Sequence, residues 1–147
     1  MSFADKTVIE GLRDHLLNTP APIGYNLRAV HAYPPDNLAV APAVVIIPGD
    51  DTVAYGASNR QITLTLNVTL YLMPQADLAR KYEDLMTWRT WLRDAFIDGV
   101  TLDNTSGVSQ ASVVSTTMRT DTWGDQDFLT ISAAVEIACV EAIGTSA

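Results

Sequence analysis

Cysteine is almost absent. Cys139 is the only one in 147 residues, which excludes an internal disulfide framework and suits a reducing cytoplasm. A lone thiol invites reading as a nucleophile, but Cys139 continues the alternating apolar set Leu129, Ile131, Ala133, Val135, Ile137, which marks it as a small core residue. Basic residues are scarce as well: nine against seventeen acidic ones, for a formal net charge of -8. Phosphate contacts need clustered Lys and Arg, so sequence-specific nucleic-acid binding is excluded, although an acidic surface suits a channel through which DNA slides without sticking. The two histidines, His15 and His31, have no carboxylate or cysteine at ligand spacing, so neither a metal nor a cofactor is expected. Long apolar runs are missing too, and no window reaches the length of a membrane span. The opening MSFADKTVIEGLRD lacks the basic patch and apolar run of a signal peptide, so the expectation is a soluble chain that is not secreted by that route. Without export, the Asn-x-Ser/Thr matches at Asn67 and Asn104 carry no glycosylation meaning.

What the chain does have is alternation. From Ile62 to Leu72 the residues Ile62, Leu64, Leu66, Val68, Leu70 and Leu72 are aliphatic, and Thr63, Thr65, Asn67, Thr69 and Tyr71 separate them. Side chains of a strand point to opposite faces in turn, so this segment lays one apolar row on a core and a hydroxyl-rich row on the other side. Counted from Arg60 to Met73 it spans roughly 45 Å at about 3.3 Å per residue, long for a strand of a small domain. One end is therefore expected to stand beyond the core or against another subunit.

Around this ribbon the pattern predicts one globular domain over residues 1–147, with 48% hydrophobic and 18% charged residues, able to bury roughly 70% of its unfolded surface. A first helix follows a Ser2/Asp5 capping pair, buries Val8, Ile9, Leu12 and Leu16, exposes Lys6, Glu10, Arg13 and Asp14, and stops at Asn18 and Pro20; His15 sits beside its stripe. Leu27 to Tyr33 reads as a strand closed by Pro34 and Pro35, and AVVIIP after Pro42 as a short strand buried on both faces that ends at Pro48 and Gly49. Gly49 to Asn59, with two glycines and the acidic pair Asp50 and Asp51, reads as a mobile hairpin loop. Asp50 and Asp51 match no calcium loop and are read as solvated acids.

After Pro74, the residues Leu78, Tyr82, Leu85, Trp88, Leu92, Ala95 and Phe96 recur at helical spacing and define the core stripe of a second helix, closed by Asp98 and Gly99. Arg80, Lys81, Arg89 and Arg93 are expected on its outer face, laced with Glu83, Asp84 and Asp94 or turned toward a partner. Val100 to Ala111 reads as an exposed connection. Ser112 to Thr122 and Phe128 to Val140 form a hairpin around Trp123, Gly124 and Asp125. The fold class expected is α+β: a mixed, mostly antiparallel sheet of four or five strands with two helices packed on one face.

The YPPDNL turn at Tyr33 to Leu38, the APAVVIIPG strand at Ala41 to Gly49, and ITLTLNVTLYL followed by the LARKYEDLMTWRTWLRDAF helix stand in an order that covers nearly the whole chain. That layout resembles the tail terminator proteins of long-tailed bacteriophages, also called tail-completion or tail-to-head joining proteins. The resemblance implies a structural virion subunit, assembled in the host cytoplasm, that forms a ring, a hexamer, on the finished tail tube. There it would halt addition of tube protein and present a surface to the head connector. Its partners would be itself, the tube protein and the connector proteins, with DNA passing through the ring and no membrane involved.

Ring closure needs heterologous contacts, for which Arg80, Arg89 and Arg93 facing a neighbour's Asp50, Asp51 or Asp121 are the candidates, with strand-edge pairing as another source. Tyr55 in the hairpin segment joins them, and Trp91 and Trp123 are candidate partner anchors, whereas Trp88 fits the core stripe. Two other readings stay open. One is another neck component, a head-closure or stopper protein. The other is a small ligand-binding enzyme that uses His31, Asp36 or Cys139, although no GxSxG elbow or Cys/His cluster supports it. The expectation is a protein that is not an enzyme.

Overall fold

The computed structural model describes residues 5–35, 38, 41–72, 78–96, 101–102, 108–123 and 126–142. Helix α1 (Asp5–Asn18) leads into strand β1 (Ala29–His31), the hairpin of β2 (Ala43–Tyr55) and β3 (Asn59–Leu72), helix α2 (Leu78–Asp94), and the hairpin of β4 (Val108–Trp123) and β5 (Gln126–Ala142). One five-stranded sheet results, in the order β1-β2-β3-β5-β4, with β1 parallel to β2 and every other neighbour antiparallel. This is the α+β fold that the pattern predicts.

Register explains why the sheet has two unlike faces. Ile62, Leu64, Leu66, Val68, Leu70 and Leu72 of β3 lie opposite Cys139, Ile137, Val135, Ala133, Ile131 and Leu129 of β5, so both apolar rows share one face. Against that face pack Val8, Ile9, Leu12 and Leu16 of α1 and Leu85, Trp88, Trp91 and Leu92 of α2, all in one buried cluster. Spacing of three and four residues gives each helix this single apolar stripe. The main core thus lies between sheet and helices. On the other face Leu38, Ala43, Val45, Tyr71 and Phe128 form a small second cluster. The rest of that face is mostly small and polar, with Thr63, Thr65, Asn67, Thr69, Ser132, Ala134 and Glu136 among the alternate residues of β3 and β5 that point there.

Helix α1 ends where Thr19 takes over its last carbonyls: the Thr19 N–H donates to Leu16 O at 3.3 Å and its hydroxyl to His15 O at 2.8 Å. The His15 ring, expected only to flank the stripe, ties the helices together: Nε2 donates to Ala95 O at 2.6 Å and the ring rests near Phe96. The expected cap at Ser2, the turn residue Asp36, and the helix-closing Asp98 and Gly99 lie outside the described residues.

Three expectations are corrected. The segment from Gly49 to Tyr55 is strand, not loop: β2 continues past Pro48 because β3 templates it as far as Tyr55 opposite Arg60. Pro48 is tolerated there because β1 pairs only with Ala43 to Val45, leaving Pro48 on a strand with one described neighbour. A bulge between Pro48 and Asp51 absorbs the break in the ladder. Secondly, β1 holds only three residues, shorter than Leu27 to Tyr33. Thirdly, β4 begins at Val108, inside the expected connection, because its first residues pair with Cys139, Ala138 and Ile137 of β5.

Gly49 is the residue that the bulge requires. A Cβ built there would meet the Thr65 carbonyl oxygen at 2.8 Å, and that oxygen belongs to a paired central strand that cannot give way cheaply. Gly49→Ala is expected to cost about 1–3 kcal/mol, the range typical of overpacking. The check is the urea midpoint at constant m; an unchanged midpoint would mean that the two strands do not approach closely here.

Candidate functional site

The sheet pushes one feature out of the core. Beyond Val45 no described strand pairs with the outer edge of β2, and residues 47 to 58 are all exposed. With the Asn59 end of β3 they make an arm. Its tip closes where the Gly56 N–H donates to Asn59 O at 2.8 Å. Antiparallel alternation then turns the backbone N–H and C=O of Tyr55, Val53 and Asp51 toward the open edge. The same three side chains share the face of the sheet on which the helices lie, opposite Arg60, Ile62 and Leu64. Val53 is 43% and Tyr55 73% exposed, large apolar groups left in water. Proline, a bulge and two acids guard the edge from Pro48 to Asp51, the usual defences against stray pairing; Thr52 to Tyr55 has none of them. The six aliphatic residues of β3 are all buried, so it is the outer half of β2, not β3 itself, that stands bare.

Helix α2 carries the opposite charge. Arg93 is exposed, and Arg89 sits half-buried with its Nε buried and without a hydrogen-bond partner among the described residues. Neither Arg89 nor Arg93 laces with Glu83, Asp84 or Asp94: among the described residues the only ion pair is Arg13 with Asp14, and the side chains of Arg80 and Lys81 lie outside those described. Asp84 instead accepts a 2.6 Å hydrogen bond from the Tyr25 hydroxyl, a contact that holds the Tyr25 phenol above its usual pKa. Tyr82, expected in the core stripe, is 49% exposed, and Met86 is 50% exposed.

Of the other predicted contact residues, Trp91 lies in this chain's own core. It is buried at 6% exposure, its indole N–H donates to Pro20 O at 2.8 Å, and its ring meets Trp88 edge-on at 5.3 Å. Trp91 therefore fastens the chain after α1 onto α2. Only its margin borders a cavity of about 560 Å³ between Pro20, Pro22, Thr87 and Asp94. Asp50 and Asp51 are exposed on the arm. The side chains of Arg80, Asp121 and Trp123 lie outside those described, although Asp121 and Trp123 stand opposite Phe128 and Gln126 in the β4–β5 register.

The residues of the enzyme reading are not brought together. His31 is on β1 and Cys139 on β5, three strand spacings or roughly 14 Å across the sheet at about 4.8 Å each; Asp36 lies outside the described residues. Cys139 is buried at 1% exposure, and burial, with a smaller contribution from the Asp5 charge, raises its thiol pKa to about 11, the reverse of nucleophile activation. Among the described residues no group of three His, Cys, Asp or Glu could hold a metal, and no helix is long and apolar enough to cross a membrane. The helix-free face holds a polar cavity of about 360 Å³ around Asn67, Thr69, Ser132 and Arg119. Thr69 and Ser132 already bond each other across its floor at 3.0 Å.

No protein-family model matches the chain, and no curated protein matches it either.

Proposed function

We propose that this chain is a ring-forming structural subunit of the tail-terminator kind, which caps a phage tail tube, stops its growth and offers the joint to the head connector. The observation that supports the reading is the arm: nine residues of β2 beyond the bulk of the core, with an edge that no described strand pairs and with Val53 and Tyr55 exposed. Apolar side chains and unpaired strand edges left bare are costs that a second chain removes on assembly. Work of this kind is binding, not bond breaking. The sequence layout supplies the tail context, and the acidic balance suits a ring that DNA traverses.

Light scattering across a concentration series, alone and with tail-tube subunits, tests the reading. Expected are a closed oligomer of fixed mass and tubes that stop growing once it is added. A protein that stays monomeric at every concentration and leaves tube growth untouched overturns it. A closed oligomer that binds connector subunits but not tubes would move the chain to a head-closure role.

A further inference from the structure

We infer that the face Asp51–Val53–Tyr55 of one copy's arm seats on the stripe Tyr82–Met86–Arg89–Arg93 of α2 in a second copy. The inference rests on the reading of the chain as a self-assembling subunit and names the surface by which it assembles. The four helix residues are spaced four, three and four apart, which at about 100° per residue confines them to roughly 60° of arc. Glu83 and Asp94 lie about a quarter turn or more away, so the arginines share a flank with two exposed apolar side chains and no acid.

Both surfaces repeat the same order. Along the arm, acid, aliphatic and aromatic follow at every second residue, about 13 Å from Asp51 to Tyr55. Along the helix, the midpoint of Arg89 and Arg93 lies about 13 Å from Tyr82, with Met86 between. One register therefore sets the carboxylate of Asp51 on the guanidinium pair, Val53 on Met86, and Tyr55 on Tyr82, with the neighbouring Asp50 adding negative charge from the other face of the arm. Met against an aromatic ring and ring against ring are favourable contacts in their own right. Neither surface has a charge partner within its own chain among the described residues.

Position in the fold makes the contact run between copies. Helix α2 packs over β5 and β4 while the arm extends from β2, on the other half of the sheet. A patch on one half that fits a different patch on the other half gives a head-to-tail contact, the type that closes into rings.

A charge swap tests this on the full chain. Arg89→Glu/Arg93→Glu and Asp50→Lys/Asp51→Lys, each alone, are expected to raise the concentration at half-assembly by tenfold or more, with far-UV circular dichroism unchanged and, at concentrations too low for assembly, the wild-type thermal midpoint. Mixing the two variants one to one restores assembly, because every junction then joins opposite charges. Wild-type assembly should weaken as salt rises. Either variant assembling like wild type, or a mixture that stays apart, overturns this surface while leaving the ring reading standing. A wild-type protein that never self-associates overturns both.

Discussion

Trp88→Ala is expected to cost about 3–5 kcal/mol, the range for deleting a large aromatic from a packed core. Trp88 is 1% exposed, and its ring is the hinge of an aromatic chain. Tyr25 meets it edge-on at 5.8 Å from the segment after α1, and Trp91 meets it at 5.3 Å one turn along α2. Removing it opens a cavity between α2 and the sheet and leaves Tyr25 and Trp91 without their central neighbour. The Tyr25–Asp84 and Trp91–Pro20 hydrogen bonds, which pin the same segment, lose their packing support. Against a total stability of about 5–15 kcal/mol for a domain, the loss is a large share. Urea unfolding followed by circular dichroism measures it, and Trp88→Phe should recover part of it. A loss under about 1 kcal/mol for the alanine variant would mean that α2 does not dock through this residue.

What the sequence disclosed and what it hid follow one physical rule. Strict alternation in β3 and β5, and the three-four spacing in α1, are properties of single elements, so Leu66, Ile131 and Leu12 could be placed in the core from the chain alone. Properties that depend on a neighbour could not. Pro48, Gly49, Asp50 and Asp51 carry every mark of a turn, yet pairing with β3 and a bulge hold them in a strand. Tyr82 belongs to the expected stripe of α2 and Trp91 does not, yet the structure exchanges them. Which is buried depends on where the segment at Pro20 crosses the helix, and that segment covers Trp91 and leaves Tyr82 in water. The same uncertainty concealed the exposed flank on which the proposed contact is built: Arg89 and Arg93 stood out by charge, but Tyr82 and Met86 could join them only once the structure set the helix's rotation about its axis. His15 gave no signal of its contact with Ala95, because the acceptor is a backbone carbonyl eighty residues on, which no side-chain pattern records.

Alkaline pH should weaken this protein's fold through Cys139. The thiol sits on the helix-covered face of β5, opposite Ile62 and Val108, and is 1% exposed. Burial penalises the thiolate, and the negative charge of Asp5 adds to the penalty, so the pKa rises from 9.0 to about 11 in the folded state. Between those two values the unfolded chain has lost its thiol proton while the folded chain keeps it. The unfolded state then binds fewer protons, and stability falls as pH rises. The contribution is fully present below pH 9, declines from there to about 11, and amounts to about 2–3 kcal/mol. Tyr25 acts in the same sense above its ordinary 10.0, because its hydroxyl is bound to the Asp84 carboxylate. A variant must therefore isolate the thiol. Cys139→Val has no titrating group and suits an apolar strand position, and its urea midpoint should decline less than that of the wild type between pH 8.5 and 10.5, the two curves separating near pH 9. Native protein should also resist thiol reagents until urea exposes the residue. Parallel midpoint curves for the two proteins, or ready labelling of the native thiol, would show that Cys139 is not held beneath the helices, and the packing of α1 and α2 on one side of the sheet would have to be redrawn.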